Sequence, residues 1–311
     1  MAPSQKRRKH MERERFFAQM EEALMALKPD EMEITFMRFD KQNRMGLHGC
    51  TLSMPESAAS PTFYLEDLYE AYRNGAAVKD IAEGMIDFAK ENNLSTLPDG
   101  IDIGDYESIR KNLGLMVIGE TANREYLCDM VYEKIEDLAL LPIVFINDSR
   151  STGCIKIRKD LLAIWGVTAH EVMEEARKNA PKSMPPMFRQ MGDIVQENLC
   201  LGSEHTTIPE EAELFVVSNQ FYAYGASVAF YPRFFESIAK ALKKDFFVLP
   251  SSVNEMILLR DLGQNPLELL RIVTEVNRTQ VAPEEVLSDA VYYYSRSRGF
   301  RKILPMEALL V

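Results

Sequence analysis

Two hydrophobic periods follow one another at the start of the chain, and each predicts one kind of element. Residues 12–28 place apolar side chains at helical spacing, at Phe16, Met20, Leu24 and Leu27. That spacing predicts an amphipathic helix. Residues 33–39 and 47–54 alternate apolar and polar positions, and the turn residues Asn43 and Gly46 lie between them. This second pattern predicts a β-hairpin.

The same two periods continue along the chain without a regular strand–helix–strand alternation. Helical spacing predicts helices at 63–75, 76–93, 159–166, 169–179, 232–245 and 265–277. Thr168, with Glu171 three residues further, predicts a capping box at the start of the helix at 169–179. Short apolar or alternating runs predict strands at 115–119, 130–135, 141–148, 154–158, 213–219 and 225–231, and a strand pair at 246–259. Residues 283–305 are expected to form an aromatic strand pair or an extended tail. Most of these strands follow one another as hairpins. The pattern therefore predicts an α+β fold, with helices packed on a mixed, mainly antiparallel sheet.

Breaks in the pattern predict how the chain is divided. Residues 1–15 form a basic N-terminal arm, and the proline-containing segment 181–187 is the clearest interruption further along. We therefore expect an N-terminal α+β region at 16–180 and a C-terminal α+β region at 188–311. One continuous domain with a loop at 181–187 is the alternative.

Composition narrows the class of protein. The chain has 311 residues, 46% hydrophobic and 27% charged, which is typical of a globular protein with a real core. It contains no apolar run long enough to cross a membrane and no secretory leader pattern. The cysteines are few and scattered, at Cys50, Cys128, Cys154 and Cys200. Reduced thiols and a cytoplasmic location are the expectation.

Charge is distributed unevenly, and this bears on partners. The net charge is −11, but residues 1–15 carry six basic and two acidic side chains. The remaining acidic body repels phosphate backbones, so we expect no nucleic-acid binding except weakly through residues 1–15. A solvated arm that aids solubility is the simpler interpretation of that segment.

Motif searches exclude several activities. The sequence holds no P-loop, no dinucleotide-binding glycine fingerprint, no nucleophile-elbow motif and no zincin motif. We therefore expect no cofactor. Two thiols and two imidazoles could form a zinc site if the fold brought them together: His48, Cys50, Cys200 and His205. Their spacing matches no standard zinc motif, and the prediction is that no metal is bound.

One polar corner carries the only catalytic hypothesis. Between two apolar runs, residues 250–255 read Pro-Ser-Ser-Val-Asn-Glu. Ser251, Ser252 and Glu255 could form an unfamiliar hydrolase or transferase site, with His48 as a base from the N-terminal hairpin. The simpler interpretation is a turn that Pro250 starts and that serine hydroxyls stabilise.

Several segments together carry a resemblance. The motifs are LHGxT at 47–51, PTxYL at 61–65, WGV at 165–167, LPSS at 249–252 and VAPEEVLSD at 281–289. In this order they resemble an uncharacterised bacterial family, a domain of unknown function, over about residues 30–297. The resemblance implies an intracellular protein and no established activity. The family often has a histidine where this chain has Asn254, which weakens the serine-hydrolase hypothesis.

These observations favour a cytoplasmic α+β protein that works as a non-catalytic binding or regulatory module with a protein partner. The alternative is the hydrolase or transferase around Ser251, Ser252 and Glu255.

Overall fold

A computed structural model provides the fold and describes residues 3–57, 59–92, 97, 100–147, 152–192 and 214–303. The chain forms two compact units, Met1–Ile101 and Asp102–Val311, called here the first and the second unit. Residues 181–187 lie inside the second unit, where a helix ends and a strand begins. The sequence-based boundary at 181–187 stays a prediction.

The first unit packs three helices and a small antiparallel sheet. Its elements are α1 (Pro3–Leu27), β1 (Glu33–Lys41), β2 (Arg44–Ser53), β3 (Thr62–Tyr64), α2 (Leu65–Arg73) and α3 (Val78–Asn92). The described strands lie in the order β1-β2-β3, with β1 at the edge. The predicted hairpin is confirmed in its pairing of β1 with β2. The core of the first unit includes the predicted apolar face of α1, with Phe16, Met20 and Leu24 fully buried.

Helix α1 begins earlier than the apolar spacing predicts. It starts at Pro3 rather than near residue 12. The added turns, residues 3–11, hold two lysines, two arginines and a glutamine, which have high helix propensity without any apolar face. The helix therefore extends through the basic arm.

The second unit combines two antiparallel sheets with short helices. The first of its elements are α4 (Tyr106–Ile109), β4 (Leu113–Gly119), α5 (Arg124–Leu127), β5 (Glu133–Ile135), β6 (Leu138–Asn147), β7 (Thr152–Lys156), α6 (Lys159–Trp165) and α7 (Ala169–Ser183). After them come β8 (Pro186–Gln190), β9 (Leu214–Asn219), α8 (Phe234–Leu242), β10 (Phe246–Ser252), β11 (Glu255–Arg260), α9 (Pro266–Thr279), β12 (Tyr292–Ser295) and β13 (Gly299–Lys302). These elements confirm the predicted α+β class.

Strand order in the second unit is not the chain order. One sheet arranges its described strands as β13-β12-β10-β11-β9-β8. In the other, β6 pairs with β4 on one side and with β5 and β7 on the other. Every residue of β4 and most of β6 is buried, which explains their continuous apolar sequences. Helix α7 begins with the predicted capping box between Thr168 and Glu171.

One predicted strand is wrong. Residues 225–231 were expected to be extended, but Gly225–Phe230 forms a 3-10 helix. Tyr224 precedes it with a φ of 56°, in the left-handed region. A short buried apolar run looks alike in a strand and in a helix, so periodicity could not separate the two. In this conformation the segment packs on the β10–β11 turn: the Ala226 N–H donates to the Val253 carbonyl at 3.2 Å, and a Cβ at Gly225 would lie 2.6 Å from the Asn254 carbonyl oxygen.

Candidate functional site

The predicted serine corner is the hairpin between β10 and β11. Ser252 pairs with Glu255, and Val253 and Asn254 form the turn. The Ser251 hydroxyl donates to Glu255 Oε1 at 2.9 Å, whereas Ser252 Oγ accepts from the Asn254 N–H at 3.1 Å. All three candidate side chains are half-buried. The structure therefore brings Ser251 and Glu255 together and gives Ser252 a role in the turn.

Pro250 lies in strand β10 and does not start the turn, contrary to the prediction. It pairs with Met256, and the register shifts between Pro250 and Ser252, as at a β-bulge. Proline lacks a backbone donor and is tolerated in a sheet at such bulges.

Asn254 is the centre of a hydrogen-bond network behind this corner. Its side chain accepts from the Tyr224 N–H at 3.0 Å and donates to Glu285 Oε1 at 3.2 Å. The Val253 N–H also donates to the Glu285 carbonyl at 3.0 Å. The two sequence segments that carry the resemblance most specifically, at 249–252 and 281–289, are thus joined through the adjacent turn. Composition and spacing gave no indication of Glu285.

A second polar cluster of this unit surrounds Asp137. Its carboxylate accepts from Tyr292 at 2.7 Å, from Lys302 at 2.7 Å and from Ser288 at 3.2 Å. Burial acts to raise the pKa of Asp137, but the hydrogen bonds from Lys302 and Tyr292 outweigh burial and lower it below its ordinary value. The cluster ties the turn between β5 and β6 to strands β12 and β13, so its role is structural.

His48 lies in the first unit, while the serines and Glu255 lie in the second. Its Nδ1 is 2.9 Å from Glu66 Oε1, and its backbone N–H donates to both oxygens of the same carboxylate. The Phe17 ring packs on the imidazole at 4.4 Å between centroids. Glu66 therefore fixes the ring. A contribution of His48 to the serine corner stays a prediction.

His48 lines a cavity of about 330 Å³ between α1 and the β1–β2 hairpin, called here the groove. One wall is a stripe of α1, and β1 contributes the other wall at its edge. Along the wall of α1 the stripe consists of Glu14, Phe17, Ala18 and Glu21. Phe36 and Arg38 line the groove from β1, and Leu65 lines it at the start of α2. Ala18 and Arg38 are exposed, so the groove opens to solvent.

A buried thiol beside this groove is unreactive. Cys50 lies two positions after His48 on β2 and is fully buried. Burial, with a smaller contribution from the nearby Glu21 carboxylate, raises its pKa to about 12. A thiol of that pKa stays protonated at neutral pH and is a poor nucleophile or metal ligand.

Three glutamates in or beside the groove were missed from sequence: Glu66, which contacts His48, and Glu14 and Glu21 in its lining. Glu66 has no distinguishing pattern, because a glutamate in the first turn of a helix is common and is favoured by the helix dipole. Glu14 is three positions before Phe17, and Glu21 is three positions after Ala18, so helical spacing could have placed all four on one stripe.

The metal and membrane expectations concern only part of the chain. Across the described ranges, no group of three or more histidine, cysteine, aspartate or glutamate side chains could hold a metal ion. Cys200 and His205 lie outside those ranges. No helix that the structure describes is long and apolar enough to span a bilayer.

Comparison with known proteins identifies a family. The model of a family of unknown function (DUF5688) matches residues 13–296. This confirms the resemblance to a family with no assigned activity; a bacterial source stays a prediction. No curated protein matches the chain, and no solved structure matches it.

Proposed function

Since the chain belongs to the family of unknown function DUF5688, we propose from its geometry that it is a non-catalytic binding or regulatory module. The observation that carries the proposal is the groove of about 330 Å³. This volume is at the lower end of the range for ligand sites, about 300–1,000 Å³. A largely apolar lining with a few fixed polar groups is also typical of such sites.

The chemistry around His48 favours binding over catalysis. Glu66 orients the imidazole, as a third group does in catalytic triads. A triad also needs an activated nucleophile beside the imidazole, and the pKa of about 12 keeps the Cys50 thiol protonated. An oriented histidine with a protonated, buried thiol as its neighbour suits recognition of a ligand.

A groove-filling variant tests the proposal. Ala18 is exposed on α1 in the middle of the stripe, so Ala18→Trp should fill the groove without entering the core. Ala71→Trp is the matched control, because Ala71 is an exposed helical alanine on α2 in the same unit. We expect a ligand-observed NMR screen with small aromatic, amine and dipeptide fragments to find binders to wild type and to Ala71→Trp. Those binders should lose their signal with Ala18→Trp. Fragments that bind equally to all three proteins, or the absence of any binder, would contradict the groove as a ligand site.

The serine corner supports a second candidate, a hydrolase or transferase with Ser251, Ser252 and Glu255. The supporting observation is the 2.9 Å hydrogen bond from Ser251 to Glu255. Turnover of a panel of ester and phosphoester substrates should then disappear in Ser251→Ala and Glu255→Gln. It should survive in Ser237→Ala, which changes an exposed serine on α8. No turnover, or turnover that Ser251→Ala leaves intact, would remove this candidate.

A further inference from the structure

We infer that the groove binds an extended peptide segment of a protein partner, which adds as a strand along the open edge of β1. This inference rests on the proposed function of the groove as a ligand site. It specifies the chemistry of the occupant: an extended backbone, with an apolar side chain and a neighbouring lysine or arginine directed into the groove.

The first support is the position of β1. It is the terminal strand of its sheet, and within the described residues it pairs with β2 alone. Terminal strands present unpaired backbone donors and acceptors, which are a ready template for another strand. Met37, near the middle of β1, is 53% exposed, so solvent reaches this edge.

The hydrogen bonds of β2 show which residues of β1 face outward. The N–H of His48 donates to Glu66, and the N–H of Leu52 donates to the Pro61 carbonyl at 3.1 Å. Both partners lie on the β3 side of the strand, so these two amides point away from β1. Pairs in an antiparallel ladder alternate between hydrogen-bonded and non-hydrogen-bonded. His48 and Leu52 therefore belong to the non-hydrogen-bonded set.

This alternation identifies three residues of β1 whose backbone groups face the open edge. Arg38 lies opposite His48, and Ile34 lies opposite Leu52, with Phe36 between them in the same phase. In non-hydrogen-bonded pairs the backbone groups point away from the partner strand. The N–H and C=O groups of Ile34, Phe36 and Arg38 are thus directed to the open edge. An added strand could use this row for its ladder, as in peptide recognition by β-augmentation.

The wall of α1 supplies the side-chain specificity. Glu14 and Glu21 are seven residues apart, which is about 10.5 Å along a helix. An extended peptide covers that length with about three residues, two of which direct their side chains to the same face. One of the two meets the apolar centre at Phe17 and Ala18. The other lies beside a carboxylate.

Charge favours a basic residue at that second position. Both glutamates are exposed at the ends of the stripe: Glu14 lies within the basic segment 1–15, 3.8 Å from His10, whereas Glu21 lies beyond that segment. The one lining arginine, Arg38, donates to the Gly46 carbonyl at 3.3 Å near the hairpin turn. Opposite charge steers association and rejects acidic competitors, so a cationic peptide is the expected partner.

The test uses fluorescein-labelled octapeptide pools and fluorescence anisotropy with the full-length chain. Each pool has a fixed leucine and, two positions further, either lysine or glutamate, with all other positions degenerate. We expect the lysine pool to bind about tenfold more tightly than the glutamate pool. The double substitution Glu14→Gln with Glu21→Gln should remove most of that preference. A lysine pool with alternate backbone amides N-methylated should not bind, because it cannot form the ladder.

Two variants at Arg38 distinguish recognition of the peptide through the backbone from recognition through the side chain. Arg38→Pro removes an outward N–H, a change that edge strands tolerate, and Arg38→Ala removes only the side chain. We expect Arg38→Pro to weaken binding about fivefold relative to Arg38→Ala, as for one net hydrogen bond. Equal binding of the N-methylated pool, or of both Arg38 variants, would overturn strand addition. If no peptide pool binds while fragments still respond to Ala18→Trp, this inference fails and the proposed function stands. If neither responds, both fail.

Discussion

Replacing Asp137 with alanine is expected to lower the free energy of unfolding of the second unit by about 3 kcal/mol at neutral pH. Tyr292 is fully buried and donates to Asp137 at 2.7 Å. Loss of that acceptor leaves a buried hydroxyl short of a partner and costs about 2 kcal/mol. Lys302 is 31% exposed and can turn toward water, so the loss of its bond to Asp137 adds only about 1 kcal/mol.

The same cluster makes this contribution depend on pH. Burial raises the pKa of Asp137, but hydrogen bonds from Lys302 and Tyr292 more than reverse that effect, and the folded-state pKa lies below the ordinary one. The carboxylate therefore stabilises the fold fully above the unfolded-state pKa of about 3.9. The stabilisation is lost as the pH falls through the lower folded-state pKa. The difference between wild type and Asp137→Ala should accordingly shrink below about pH 4.

Urea unfolding followed by tryptophan fluorescence measures this effect in the correct unit. Trp165 is the single tryptophan of the chain and lies in the second unit, where its Nε1 donates to the Ile103 carbonyl at 2.7 Å. Asp129→Ala is the control, because Asp129 is 71% exposed and lies 3.8 Å from Arg158. It should cost less than about 1 kcal/mol. A penalty for Asp137→Ala no larger than this control, or one that is undiminished near pH 3, would refute the reasoning.

Three further predictions address local packing and reactivity. Gly225→Ala should destabilise the second unit by about 3 kcal/mol in the same urea assay, since its Cβ would lie 2.6 Å from the Asn254 carbonyl oxygen; a cost under about 1 kcal/mol would mean that the backbone relaxes easily. Thr168→Ala should cost about 1 kcal/mol by removing the cap of α7, and Thr168→Ser should restore most of it; equal stability of both variants would argue against the cap. Iodoacetamide at neutral pH should modify the exposed Cys128 and spare Cys50, as measured by peptide mass spectrometry, because Cys50 is buried and its pKa is about 12; comparable labelling of both would contradict that assignment.

Sequence patterns predicted most reliably those features that depend on residues close together in the chain. The capping box at Thr168 and the hairpin of β10 and β11 depend on neighbours within a few residues, and both are confirmed. The 3-10 helix at Gly225–Phe230 was missed, because its conformation depends on contact with Asn254, which is far along the chain.

The contacts of the candidate site residues show the same difference between neighbours close in the chain and neighbours distant in it. Ser251 and Glu255 are four residues apart, and their hydrogen bond lies within the range that a hairpin sets locally. His48 was selected from sequence because histidine is chemically versatile, but its partner Glu66 was not, since they are eighteen residues apart. The pairing required β2 to lie beside the start of α2.

The sequence by itself determined the period of each element, and hence the α+β class, the hairpins and most helix positions. It did so because backbone periodicity and capping act over a few residues. Only the tertiary structure decided the strand order β13-β12-β10-β11-β9-β8, the meeting of Asn254 with Glu285, and the groove between α1 and β1. These features arise when apolar faces of elements distant in sequence bury one another. Which faces pack together depends on the whole unit, and no short stretch of sequence encodes it.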